Sequence, residues 1–263
     1  MTEHKKKNLR QKGIFILPSL LTAMALFVGF FSIIHSLRGM AGMVADFQWA
    51  AYAIVLAAFL DGLDGRIARL MKAESDFGSQ FDSIADVVSF GVAPAVLVYA
   101  STIHSLDRWG WIGAFLFVAC AGIRLARFNV IASQPGGSRK YFKGLSSPVA
   151  AGGLALLVIV PHHWQGSEFQ IFALIYTIFL SALMISNIRF RSFKQDSFQR
   201  KPFQILLFFV LLFVLLVSFP QWTLLSCFLI YLIWGLIEEL LLFRRRRRSD
   251  PQVPFVPFGD RDD

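Results

Sequence analysis

Apolar residues in this chain gather in long blocks separated by short polar or basic segments, with no sustained alternation and few amphipathic stripes. Blocks of about 17 to 25 apolar residues are long enough to cross roughly 30 Å of hydrocarbon as helices. Helix is also the spanning form that satisfies every backbone group without water. The pattern predicts eight spans, at Phe15–Ser36, Gln48–Arg69, Gly78–Ser101, Trp109–Ile131, Ser147–Pro161, Phe169–Ile188, Phe203–Phe219 and Trp222–Phe243. The expected fold class is therefore all-α, a polytopic membrane helical bundle. The first block is too long for a signal-peptide core and no convincing small-residue cleavage site follows it, so it is expected to stay.

Basic residues set the orientation. With the N-terminus in the cytoplasm, 24 of the 26 lysines and arginines fall on cytoplasmic segments and only Arg38 and Arg108 on the other side. That asymmetry follows the positive-inside rule and places both termini inside. Composition agrees: 56% of the 263 residues are apolar and the mean hydropathy is +0.57, too little polar surface for a soluble domain of this length. The net charge of +9 does not point to nucleic acid, because Arg244–Arg248 directly follows a span, where basic runs anchor to anionic headgroups. Glu238 and Glu239 are placed to pair with that run. Cys120 and Cys227 both lie in apolar spans and read as packing residues rather than a disulfide or metal pair. No tandem repeat or soluble second domain is visible, and the Pro- and Asp-rich tail 250–263 has no periodicity.

Chemistry concentrates between Asp61 and Asp86. Asp61 and Asp64 are i,i+3 and Asp82 and Asp86 are i,i+4, so each pair shares one helix face. The short connection between the second and third spans makes those helices neighbours and can bring the four carboxylates together. Acids at membrane depth need partners. An acidic helix end paired with Arg66, Arg69 and Lys72 would account for one aspartate, but not for four at these spacings. Four mutually repelling carboxylates without His or Cys instead suit hard divalent cations, Mg²⁺, Mn²⁺ or Ca²⁺. Two such ions would hold a pyrophosphate. Gly62, Gly65, Ala68 and Gly78 leave room for a close ligand or helix, and Arg69 offers a planar donor for phosphate oxygens.

The stretch reads D-x2-D-G-x2-A-R-x8-G-x3-D-x3-D, and every fixed position of that pattern is present. It resembles the signature of the CDP-alcohol phosphotransferase family. The resemblance implies a two-ion metal site of Mg²⁺ or Mn²⁺ on Asp61, Asp64, Asp82 and Asp86, with Asp86 also the catalytic base. It implies a CDP-diacylglycerol site on Gly65, Ala68, Arg69 and Gly78, and a homodimer in the membrane. The chain then divides into a basic segment 1–13, a six-helix core 14–190, two additional helices 191–243 and a tail 244–263.

Further stretches resemble the bacterial membrane-type phosphatidylserine synthases of that family: Leu17–Thr22, Phe81–Ala95, Ala121–Asn129 and Lys143–Gly152. Ser146 stands where Pro is commoner in them, and Ala25 where many have Asn. The implied reaction joins CDP-diacylglycerol and L-serine to give phosphatidylserine and CMP at the cytoplasmic face of a bacterial inner membrane. Arg124, Arg127, Asn129 and Lys143 are the candidates for holding serine or phosphate. The two arginines equally suit inside-positive topology with snorkelling to headgroups. Ser147–Pro148 reads as an N-cap followed by Pro at the first helical position. His35, His104, His162 and His163 fall at the opposite face and take no part. Glycerol 3-phosphate, inositol phosphate or choline are alternative acceptors for the same chemistry. A cation-coupled transporter is a remoter reading, since its acids would sit near the midplane of repeated, broken helices.

Overall fold

The computed structural model of the chain describes residues 3–71, 76–132, 141–160, 166–186, 189–191, 210–211 and 214–249. These form α1 (Glu3–Met40), α2 (Asp46–Met71), α3 (Asp76–Asp86), α4 (Ala93–Val98), α5 (Asp107–Ala132), α6 (Ser147–Ile159), α7 (Ser167–Ile185) and α8 (Pro220–Ser249). Among the described residues, three segments are long and apolar enough to cross a membrane: Ser19–Met40, the run Phe77–Val130 and Ser167–Ile185. Two apolar helical stretches, Ser147–Ile159 and Pro220–Gly235, are shorter. Most of the seventh expected span, Phe203–Phe219, lies outside the described residues. Phe27, Phe59, Trp109 and Phe115 are each more than half exposed on these apolar helices. Aromatic and aliphatic surface on that scale belongs against lipid, and the protein is an integral membrane protein.

The helices meet through small residues. Ala50, Ala51, Ile54 and Ala57 of α2 pack with Phe90, Ala93 and Leu97 of the third segment and with Ala151, Ala155 and Ile159 of α6. Between apolar helices in lipid, close approach of backbones replaces the hydrophobic driving force. Helix α1 lies along α2, reversed by a tight turn at Gly42, whose φ of 109° needs glycine. The Ser32 hydroxyl donates to the Ala50 carbonyl at 2.8 Å, tying the pair together inside the apolar layer.

The third segment is not one regular helix. After Asp86 the backbone widens into a π-helical turn, Val87–Val92, before α4 begins. Pro94 has no N–H to give to the carbonyl four residues back, and the Ala93 N–H bonds Val88, five residues back. A second π turn, Tyr99–Ile103, leads to a 3₁₀ turn, and Asp107, with φ 45°, starts the return along α5. The first π turn is pinned to α1: the Ser89 hydroxyl donates to the Ala25 carbonyl at 3.2 Å, and Gly29 lies directly beneath Ser89.

Outside the helices, β1 (Tyr141–Lys143) and β2 (Arg189–Arg191) form a short antiparallel pair with Phe142 opposite Phe190. The chain then turns into α6 through Gly144 at φ 87°, where any side chain would strike the Met184 carbonyl. The Leu145 N–H closes the turn on the Leu183 carbonyl at 3.0 Å.

A Cβ at Gly29 would sit 2.8 Å from the Ser89 Cα, a backbone atom that cannot swing aside. Gly29→Ala is expected to destabilise the protein by about 1–3 kcal/mol, as overpacking does. Gly122→Ala meets nothing within 4 Å and should be neutral or stabilising by up to ~1 kcal/mol through helix propensity. Thermal unfolding in detergent reads both, and equal melting temperatures for the two variants would contradict the crossing described.

Candidate active site

The last turns of α2 and the second half of α3 bring the four aspartates to one place. Carboxylate oxygens of Asp61, Asp64 and Asp82 all lie within 4.8 Å of one another. The fourth, Asp86, makes a side-chain hydrogen bond with Asp61. Two ionised carboxylates do not approach so closely without a proton or a cation between them. Asp64 is buried, and the Thr22 hydroxyl of α1 donates to its Oδ2 at 2.9 Å. That bond orients one carboxylate while leaving its remaining lone pairs for a ligand. The group offers only hard oxygen donors, clustered and partly pre-oriented, so it fits a divalent cation of the Mg²⁺, Mn²⁺ or Ca²⁺ type.

Space exists where a ligand would need it. A Cβ built on Gly62 or Gly65, flanking Asp64, meets no described atom within 4 Å. Gly78 lies in the first turn of α3, one turn before Asp82. The side chains of Ala68, Arg69 and Lys143 lie outside the described residues.

Arg124 of α5 faces the cluster. Its guanidinium interacts with Asp86 and Asp61, and its NH1 donates to the Ser147 Oγ at 2.8 Å. Its Nε is buried with no hydrogen-bond partner among the described residues. Two other members of the expected acceptor set, Arg127 and Asn129, have different partners. Arg127 reaches the Ile185 carbonyl at the end of α7, at 3.5 Å. The Asn129 amide donates to the Ser83 hydroxyl at 2.9 Å, bracing α5 against α3 one residue from Asp82. Ser146, with an extended backbone at φ −68° and ψ 142°, is the N-cap of α6, one residue earlier than the sequence suggests. Pro148 therefore takes the second helical position, and the Ser147 hydroxyl serves Arg124 instead of a cap.

Thr22, Ser83 and Ser147 escape sequence reasoning as site residues, because a hydroxyl in an apolar helix carries no pattern of its own. Only the inclusion of all three in the resembling stretches marks them. His35 lies 13 residues from Thr22 on α1, roughly 20 Å along the helix, where it pairs with Asp46 at 3.4 Å. His104 sits at the same remote end as the α1–α2 turn, before α5. Cys120 is buried, as a packing residue should be, whereas Cys227 is exposed on α8.

Comparison with known proteins converges on the same segment. A profile described as CDP-alcohol phosphatidyltransferase matches residues 15–183. The chain is 37% identical over 234 residues to the CDP-diacylglycerol–serine O-phosphatidyltransferase of Helicobacter pylori, covering 87% of this chain and 93% of that one. It is 36% identical over 199 residues to the protein of the same name from Methanocaldococcus jannaschii, covering 76% and 88%. With the Mycobacterium leprae protein of that name it shares 38% identity over 191 residues, 70% of this chain and 61% of that one. Motif, carboxylate geometry and similarity over most of its length agree: the chain belongs to the CDP-alcohol phosphatidyltransferase family.

Proposed function

We propose that the protein transfers the phosphatidyl group of CDP-diacylglycerol to L-serine, forming phosphatidylserine and releasing CMP. The observation that carries this is the convergence of Asp61, Asp64, Asp82 and Asp86, in a chain whose relatives bear that name over most of their length. The four aspartates would hold two divalent cations, Mg²⁺ or Mn²⁺, which when bound supply charge for the diphosphate and the leaving phosphate. Gly65, Ala68, Arg69 and Gly78 form the CDP-diacylglycerol side. Arg124, whose buried Nε has no hydrogen-bond partner among the described residues, lies on the acceptor side. Arg127 and Asn129 brace that side through contacts with α7 and α3, and Lys143 is the remaining candidate for it.

Asp86 takes the proton of the serine hydroxyl. The resulting oxygen attacks the phosphorus that bears diacylglycerol, the bond from that phosphorus to the CMP oxygen breaks, and CMP departs. The reaction runs at the cytoplasmic face of a bacterial inner membrane, with both termini inside and eight spans. Residues 14–190 form the six-helix catalytic core and 191–243 add two helices. Acyl chains enter sideways between helices while serine arrives from water, and the family's homodimer is the expected assembly.

Purified protein incubated with CDP-diacylglycerol and a panel of serine, glycerol 3-phosphate, inositol phosphate and choline should yield phosphatidylserine alone. A product from glycerol 3-phosphate with none from serine would keep the reaction class and refute the acceptor. Asp61→Asn, Asp64→Asn and Asp82→Asn should each abolish turnover in a folded protein, as should EDTA, with Mg²⁺ or Mn²⁺ restoring the wild type. Full activity after chelation would eliminate the metal site. Asp86→Asn should lower kcat by at least the 10²- to 10⁴-fold typical of general-base loss, while lipid binding changes far less.

Topology is open to direct measurement in a cysteine-free background. Single cysteines at Ser75 and Gly137 should resist a membrane-impermeant thiol reagent in intact cells, and one at Ser167 should label. Labelling of Ser75 from outside would invert the orientation and move the site off the cytoplasmic face.

A further inference from the structure

We infer that Tyr231, on the C-terminal helix α8, is a positioning residue that sets Arg124 for the carboxylate of the acceptor; this rests on the serine reading above. Helix α8 lies wholly beyond residues 15–183, the segment that matches the family. It is nonetheless packed into the bundle. Phe228, Tyr231 and Leu232 pack against the buried cluster formed by α5, α6 and α7. A Cβ at Gly153 of α6 would come within 2.8 Å of the Phe228 ring, so that glycine is the notch in which α8 seats.

Fewer than two turns of α6 separate that notch from the start of the helix at Ser147, and α8 runs back along it. One turn after Phe228, Tyr231 reaches Ser146, with which it shares a side-chain hydrogen bond, and its charge environment includes Arg124. Ser146 does not use its hydroxyl to cap α6, which leaves it for this contact. The adjacent Ser147 accepts the Arg124 NH1 hydrogen bond at 2.8 Å. Tyr231 thus braces the 146–147 turn, and the turn aims the guanidinium beside Asp86. With NH1 engaged, the Arg124 Nε remains buried without a partner among the described residues. A buried donor in that state needs an acceptor, and a guanidinium edge matches a planar carboxylate through two parallel hydrogen bonds. The acceptor chemistry selected is a small alcohol that carries a carboxylate.

Kinetics of the full-length enzyme separate this role from simple packing. In Tyr231→Phe, which keeps the ring, the KM for serine should rise about 3- to 10-fold, the usual worth of one hydrogen bond. The KM for CDP-diacylglycerol and kcat should stay within twofold, the signature of lost acceptor binding alone. With 2-amino-1,3-propanediol, which has no carboxylate, the variant should match the wild type, so its preference for serine narrows by the same factor. Gly153→Val, which dislodges Phe228 and α8 together, should raise the serine KM at least as much. An unchanged serine KM in Tyr231→Phe, or equal rises for serine, diol and lipid, would overturn the inference while leaving the serine reaction intact. A wild type that makes no phosphatidylserine would instead bring down the serine reading, and this inference with it, before any variant is compared.

Discussion

Repulsion among four carboxylates is the constraint around which this bundle is arranged. At a separation of 4.8 Å, an effective dielectric of ~20 puts the cost at about 3.5 kcal/mol for each ionised pair. Nothing in the surrounding apolar layer offsets that cost. What the fold provides is a small set of fixed polar contacts: Thr22 on Asp64, and Arg124 beside Asp86 and Asp61. These limit the repulsion without cancelling it, so the site keeps a standing demand for positive charge. A bound cation pair would supply that charge, and a diphosphate would then be drawn to the cations. On the proposed reading, the affinity of the site for its substrate would originate in an arrangement that is unfavourable without counter-charge.

The remaining helices hold that arrangement steady. Alanines and glycines let α2, the third segment and α6 approach closely, and the hydroxyls of Ser32 and Ser89 fasten α1 to both neighbours through backbone carbonyls. A hydroxyl-to-carbonyl bond in lipid has no water competing for it, and the backbone acceptor stays paired within its helix as well. The outer surfaces carry phenylalanine and tryptophan toward the bilayer. Polar chemistry is thus confined to one end of the bundle, where helix termini meet water and both a lipid and a soluble acceptor can arrive.

Much of this was legible in the residues. Carboxylates spaced i,i+3 and i,i+4 on consecutive helices have few arrangements open to them, and the gathering of Asp61, Asp64 and Asp82 follows from spacing and a short connection alone. Where the residues are described, helices lie on the apolar blocks, because a helix satisfies its backbone groups within a single segment. What stayed hidden depends on contacts between distant residues. Thr22 reaches across 42 positions to Asp64, and Asn129 across 46 to Ser83. Arg124, Arg127 and Asn129 look equivalent in sequence, as polar residues near one helix end, yet they stand about 60° to 160° apart around α5 and so meet three different partners. The cap of α6 was misread by one residue because Ser146 and Ser147 both suit an N-cap; only the demand of Arg124 for an acceptor separates them.

The π-helical turn after Asp86 has a consequence for how this segment tolerates change. A π turn holds one residue more than the α-helix it interrupts, and here it lies between the aspartate face of α3 and the packing face of α4. The two faces are therefore set in separate rotational phases, with the extra residue as the offset between them. Closing this turn to α geometry with every residue kept would swing Ala93 and Leu97 about 100° around the axis relative to Asp82 and Asp86, whereas removing one residue within 87–92 would restore a continuous ladder with the two faces near their present angle. The wide turn therefore lets the segment carry one residue more than a regular helix while the aspartate face and the packing face both keep their neighbours.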